Sequence, residues 1–358
     1  MGPTTTGSDY IEGLVMAPAD EGAADRARAA WNAVAKPLGS LGAFEDYVVK
    51  ITALTGSEKV DIARRCVAVL CADNGVVAEG VSQSGPEVTA VVARNLACGI
   101  SSVCRMCGPA RVDCIAVDMG MLEPIGLSGI RERRIAAGTR SIAQGPAMTR
   151  EQALAAVRAG VDLVGELASE GYALVAAGEM GIGNTTTATA MACAFLDASP
   201  RELVGRGAGL SDAGLARKEA VIARALEVNR PHVDDPLDVL AKLGGFDIAG
   251  LCGMFLGGAV YRVPIVIDGF ISTVAAYCAW RLRPECLMAM LPSHLSTESA
   301  TAALFARMGL RPVIDAGMHL GEGTGAVCLI PLLDMALALY GGTTFAACGL
   351  DPYEEDPQ

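Results

Sequence analysis

The sequence predicts an α/β protein built on a doubly wound, mostly parallel, Rossmann-like sheet. Three observations carry this. Short continuous apolar runs recur along the chain. A clear amphipathic helix stands between two of them. The runs end in an acid beside glycine, where a strand gives way to a loop and a helix. CVAVLCADNG (66–75) is the first run and RVDCIAVDMG (111–120) the second. A helix follows from Thr149: Thr149 and Gln152 form a capping box, and Leu154, Val157, Val161, Val164 and Leu167 share one face. Gly171 is a natural stop. YALVAAGEMG (172–181) and VPIVIDGF (263–270) are the third and fourth runs. Strands without alternation suit a sheet covered on both faces, and a strand–helix–strand order makes it parallel.

The first 60 residues and those from about 305 to 358 read as helical. They form an expected smaller domain beside a large α/β domain over 61–304. Two apolar stretches are candidate membrane spans. Residues 248–261 are too short, and 323–342 carry Asp334 in the middle. Both read as buried core segments.

Glycine is abundant, 42 of 358 or about 12% against roughly 7% on average, and gathers in loops rather than in a collagen-like period. The net charge of −12 excludes nucleic acid and anionic membrane as natural partners, so any phosphate must be gripped locally. Twelve cysteines in this length are too few for a disulfide scaffold. Cys66, Cys71, Cys193, Cys252, Cys278 and Cys328 lie in apolar runs, as expected of a cytoplasmic chain. Cys104 and Cys107 have the spacing of a redox or metal pair but no matching second pair.

Asp73, Asp118, Glu179 and Asp268 all stand at strand ends. Each could simply cap a following helix. Together they mark the crevice beyond the carboxyl ends of the strands, where open α/β sheets bind ligands. GEMGIGNTTTATA (178–190) and GRGAGLSDAGLARKEAVI (205–222) are glycine loops before helices, suited to phosphate, the second carrying Lys218. Neither is a Walker A or G-x-G-x-x-G loop, which weighs against a dinucleotide oxidoreductase. LPSHLSTES (291–299) lacks a G-x-S-x-G elbow, so a serine hydrolase is excluded, and the three histidines show no metal-ligand spacing. Glu322, set between glycines before an apolar run, must be solvated, paired or used.

KPLGSLG (36–42), CADNGVVAEGVS (71–82), GEMGIGNTTT (178–187), GGFDIAGLCG (244–253), IDGFIS (267–272), PSHLS (292–296) and LGEGTGA (320–326) occur in this order. Together they resemble the nicotinate-nucleotide–dimethylbenzimidazole phosphoribosyltransferase family of cobalamin biosynthesis, from about residue 30 to 345. The resemblance implies transfer of ribose 5-phosphate from nicotinate mononucleotide to an aromatic base, with inversion at the anomeric carbon and neither metal nor cofactor. It also implies that Glu322 is the general base, its pKa raised by an apolar slot, with Glu179 beside substrate. Met180, Gly181 and Asn184 match the same strand-end loop. Gly205, Gly207 and Lys218 match phosphate and ribose loops, and Ser293 and Ser296 the PSH-x-S motif. Asp268 orients this shell. Ser84, Leu320 and Gly321 border the acceptor slot.

Two departures stand out. Asn74 replaces the usual histidine, and Val92 stands where the family has a glutamine at the acceptor ring. Loss of that polar partner admits a less hydrogen-bonded acceptor, such as a phenol. Some phenol-using members pair two related chains, so the expected assembly is a homodimer or a heterodimer. A non-catalytic partner subunit is the competing reading.

Overall fold

The computed structural model describes residues 7–123, 126, 128–207 and 209–353. Six parallel strands form one sheet: β1 (Arg65–Ala72), β2 (Asp113–Gly120), β3 (Ile130–Glu132), β4 (Leu174–Met180), β5 (Ile265–Ile267) and β6 (Met290–Pro292). Their order is β3-β2-β1-β4-β5-β6. This is the order of dinucleotide-binding sheets, and it reverses at the β1/β4 boundary, where a ligand crevice opens.

β1 is buried along its whole length, as its uninterrupted apolar run demands. β2 departs from that expectation. Asp113 is exposed and Cys114 and Ile115 are half-buried, because this end borders an open hollow beside Cys104, Cys107 and Arg131. The fourth expected strand is shorter than its apolar run: after Ile267 the chain leaves the sheet, and helix Phe270–Leu282 begins within the motif IDGFIS. The edge strands β3 and β6 have no sequence signature, since three residues are too few to show a pattern.

Helix Arg150–Ser169 has both halves of the Thr149/Gln152 capping box. Val157, Val161, Val164 and Leu167 are buried as expected. Leu154 is only half-buried, because small Ala153, Ala156 and Gly160 take the centre of the contact. They face helix Phe246–Tyr261, itself glycine-rich and buried almost throughout. Gly171 follows the helix with φ +88°, the left-handed turn that favours glycine.

Helices Glu21–Ala33, Ala43–Thr55 and Thr324–Tyr340 gather around buried Trp31, whose ring lies 4.9 Å from that of Tyr340. Lys36 of KPLGSLG pairs with buried Glu45 at 2.7 Å, so that motif builds structure outside the cavity. Asp334 accepts two hydrogen bonds from the buried Arg65 guanidinium. No helix among the described residues is long and apolar enough to cross a membrane. Five of the six cysteines expected in the core are buried. Cys328 is half-buried, since it sits on a less covered side of helix Thr324–Tyr340.

Candidate active site

A cavity of about 970 Å³ opens beyond the carboxyl ends of β4, β5 and β6. Glu179, Met180, Gly181 and Asn184 reach it from the end of β4. Gly207 and Lys218 come from the second glycine loop and its helix. Asp268, Ser296, Leu320, Gly321 and Glu322 complete the expected set. Four expected residues lie off the wall. Gly205 backs it, with its carbonyl bound by Lys218. The Ser293 hydroxyl donates to the Ile267 carbonyl at 2.6 Å and so ties the β6 end to β5. Ser84 stands two residues beyond Ser82, which does line the cavity, and Val92 packs in the apolar cluster that also holds Met180.

The four strand-end acids divide by role. Asp118 accepts from the amides of Gly120 and Met121, and Asp73 from that of Leu122. These two pin loops. Glu179 and Asp268 face the cavity.

The loop carrying Glu322 is unusual. Gly321, Glu322 and Gly323 are all left-handed, with φ of +87°, +59° and +86°. For a glutamate this costs about 1–3 kcal/mol, sustained only by the surrounding structure. That structure is visible. A Cβ on Gly178 of β4 would lie 2.8 Å from the Glu322 carbonyl oxygen, and one on Gly323 would lie 2.6 Å from Val67. The loop therefore rests directly on the sheet. Asp268 fastens it by accepting from the amides of Gly323 (3.2 Å) and Ala326 (3.0 Å), the latter in the first turn of helix Thr324–Tyr340. His294 is tucked beneath, and a Cβ on Gly325 would fall 1.8 Å from its Nδ1.

Glu322 is half-buried, not enclosed in an apolar slot as expected. Its Oε2 accepts from the Val103 amide at 3.1 Å, in the first turn of helix Ser102–Ala110. The loop geometry aims the carboxylate at a helix N-terminus.

Glu179 is the enclosed acid. It accepts a short hydrogen bond from Asn184 Nδ2, which also donates to Asp247 Oδ2 at 2.9 Å. Burial, with Asp247 adding repulsion, pushes the Glu179 carboxyl up to about 8; burial pushes Asp247 up to about 6. Asp247 gives no sign of this role within GGFDIAGLCG, because nothing local distinguishes it from a first-turn helix acid.

The sign of the pH effect follows. The fold favours protonated Glu179, with its pKa near 8 against an ordinary 4.5. Its contribution to stability is whole below about 4.5 and is lost as pH rises through 8. Glu179→Gln mimics the protonated acid. Its thermal midpoint should fall less than that of the parent between pH 5 and pH 9. Equal slopes for the two proteins would refute the assignment, since Asp247, Asp268 and Glu322 nearby remain in both.

Lys218 is fully buried. Its Nζ donates to Thr185 Oγ1 at 3.0 Å and to the Gly205 carbonyl at 3.1 Å. Burial lowers its pKa to about 8. The positive end of helix Asn184–Leu196 enters the same cavity through Asn184 and Thr185, capped by left-handed Gly183. An ammonium and a helix N-terminus side by side suit a phosphate. The cavity wall also contains Arg206, Gln83 and Glu298, which had no signature of their own.

A family profile, DBI_PRT, described as a phosphoribosyltransferase, matches residues 16–350. Nicotinate-nucleotide–dimethylbenzimidazole phosphoribosyltransferase from Desulforudis audaxviator is 44% identical over 347 residues, 95% of this chain and 97% of the relative. The protein of that name from Acetivibrio thermocellus is 42% identical over 319 residues, 88% of this chain and 91% of its own. The chain belongs to this phosphoribosyltransferase family. The crystal structure of CobT from Thermus thermophilus superposes with a TM-score of 0.87 at 37% identity, covering 92% of this chain and 99% of that one.

Proposed function

We propose that this phosphoribosyltransferase moves ribose 5-phosphate from nicotinate mononucleotide to an aromatic lower-ligand base, releasing nicotinate. The observation that carries this reading is the meeting, on one cavity, of buried Lys218, a helix N-terminus and the carboxylates of Glu322 and Glu179. The helix end suits the phosphate, and the lysine ammonium stands beside it for the ribose that carries the phosphate. As the bond from the anomeric carbon to the pyridine nitrogen breaks, its electrons quench the pyridinium charge, and positive charge builds on the sugar. A ring nitrogen of the acceptor then bonds to that carbon, and Glu322 takes the proton the new azolium must lose. Glu322 is already fixed by its loop and by the Val103 amide, so little reorganisation is needed.

The acceptor side is apolar, with Met180 and Leu320 on the wall and Val92 against the apolar cluster on which Met180 also packs. This favours a benzimidazole or a phenol over a base that needs several hydrogen bonds. The test is nicotinate release by the purified chain with benzimidazoles, adenine and phenols as acceptors. Acceptor-dependent release is expected. No release with any acceptor would contradict the reading and favour a partner subunit that completes its site only in a heterodimer.

A further inference from the structure

Glu298 is a cavity-lining acid without a partner suited to it. It lies in LPSHLSTES, two residues after Ser296, and shares the wall with Lys218 and Arg206. Neither oxygen of its carboxylate accepts a hydrogen bond among the described residues; Oε2 is closed off against Gly205, which leaves Oε1 as the oxygen a ligand can reach from the cavity. Such a carboxylate oxygen is costly unless something donates to it. The carboxylate lies directly against Gly205: a Cβ there would fall 1.8 Å from Oε2 and 2.6 Å from Oε1.

The chemistry of the substrate narrows what the carboxylate can take. Beside Lys218 it repels a phosphate dianion, so its partner must be a donor. Nicotinate mononucleotide at neutral pH carries O–H groups only at C2 and C3 of the ribose. Lys218 has three N–H donors, two of them engaged by Thr185 and Gly205, and Glu298 is near enough for its charge to favour the ammonium. A hydroxyl set between them can accept from the lysine and donate to the glutamate. We propose that Glu298 is the ligand of the ribose hydroxyls, forming with Lys218 a sugar-binding subsite in this cavity. A carboxylate bound to a hydroxyl next to the anomeric carbon gains strength as that carbon becomes positive. The subsite therefore favours the transition state over the bound substrate.

The inference rests on nicotinate mononucleotide as donor substrate, and its test separates the two claims. The wild-type chain, Glu298→Ala and Glu298→Gln are assayed for nicotinate release with nicotinate mononucleotide and with its 2-deoxy and 3-deoxy ribose analogues. The wild type should lose about 10- to 150-fold in kcat/KM with at least one analogue, the scale of a hydrogen bond to a charged group. In Glu298→Ala that penalty should shrink to about twofold, with Glu298→Gln between, because the partner of the missing hydroxyl is gone. Release of nicotinate by a Glu298→Ala that still discriminates as the wild type does would overturn the subsite while leaving the phosphoribosyl reading intact. Should the alanine variant not fold, unchanged discrimination in Glu298→Gln overturns it equally. No release by the wild type would sink both.

Discussion

Glu322→Gln should release nicotinate about a hundredfold more slowly or worse, while binding nicotinate mononucleotide as tightly as the parent. The factor is that of a lost general base. The substitution is informative because of what it spares. Glutamine keeps the side-chain length, and its carbonyl oxygen can still accept from the Val103 amide. The left-handed backbone at 321–323 and the Asp268 tether are untouched. Proton affinity is the property removed. Single-turnover assays with saturating acceptor, beside calorimetric titration of the mononucleotide, separate chemistry from binding. Turnover within about threefold of the parent, far short of a general base's contribution, would take Glu322 out of the mechanism.

The largest effect on stability should come from a methyl group far from the chemistry. Helices Arg150–Ser169 and Phe246–Tyr261 touch backbone to backbone. A Cβ on Gly253 would lie 1.9 Å from the Val157 carbonyl oxygen, and one on Gly160 would lie 2.0 Å from that of Gly250. Gly253→Ala must push two packed helices apart, or bend one. Overpacking of this kind costs about 1–3 kcal/mol and occasionally more. The better helix propensity of alanine offsets at most about 1 kcal/mol. A net loss of about 1–2 kcal/mol is expected, seen as a thermal midpoint a few degrees lower. A Gly253→Ala midpoint equal to the parent's would show that the helices do not meet as described.

Much of this is legible from residues alone, for physical reasons that can be named. Buried parallel strands advertise themselves as apolar runs, and β1 and β4 do so. The capping box at Thr149 is a local signal and needs no distant partner. β3 and β6 hide because three residues have no period. Site residues are legible where a loop carries its own signature. The glycines around Glu322, the loop after β4 and the helix bearing Lys218 all lead to the cavity. Asp247 and Glu298 escape a sequence reading because their environment comes from distant segments: Asn184 for the first, Gly205 for the second. Ser293 shows the converse, a residue inside a site motif whose hydroxyl serves the sheet.

The contact between the Glu322 carbonyl and Gly178 has a consequence for how acceptor choice can change. A backbone lying on a strand, with no space for even one carbon between them, leaves the loop that carries the carboxylate no second path. A chain of this architecture cannot retune itself for a differently shaped ring by shifting that loop. New chemistry at the acceptor has to be written in the replaceable side chains of the rim, Gln83 and the exposed Leu320 among them, while the loop of the proposed base stays where the sheet holds it.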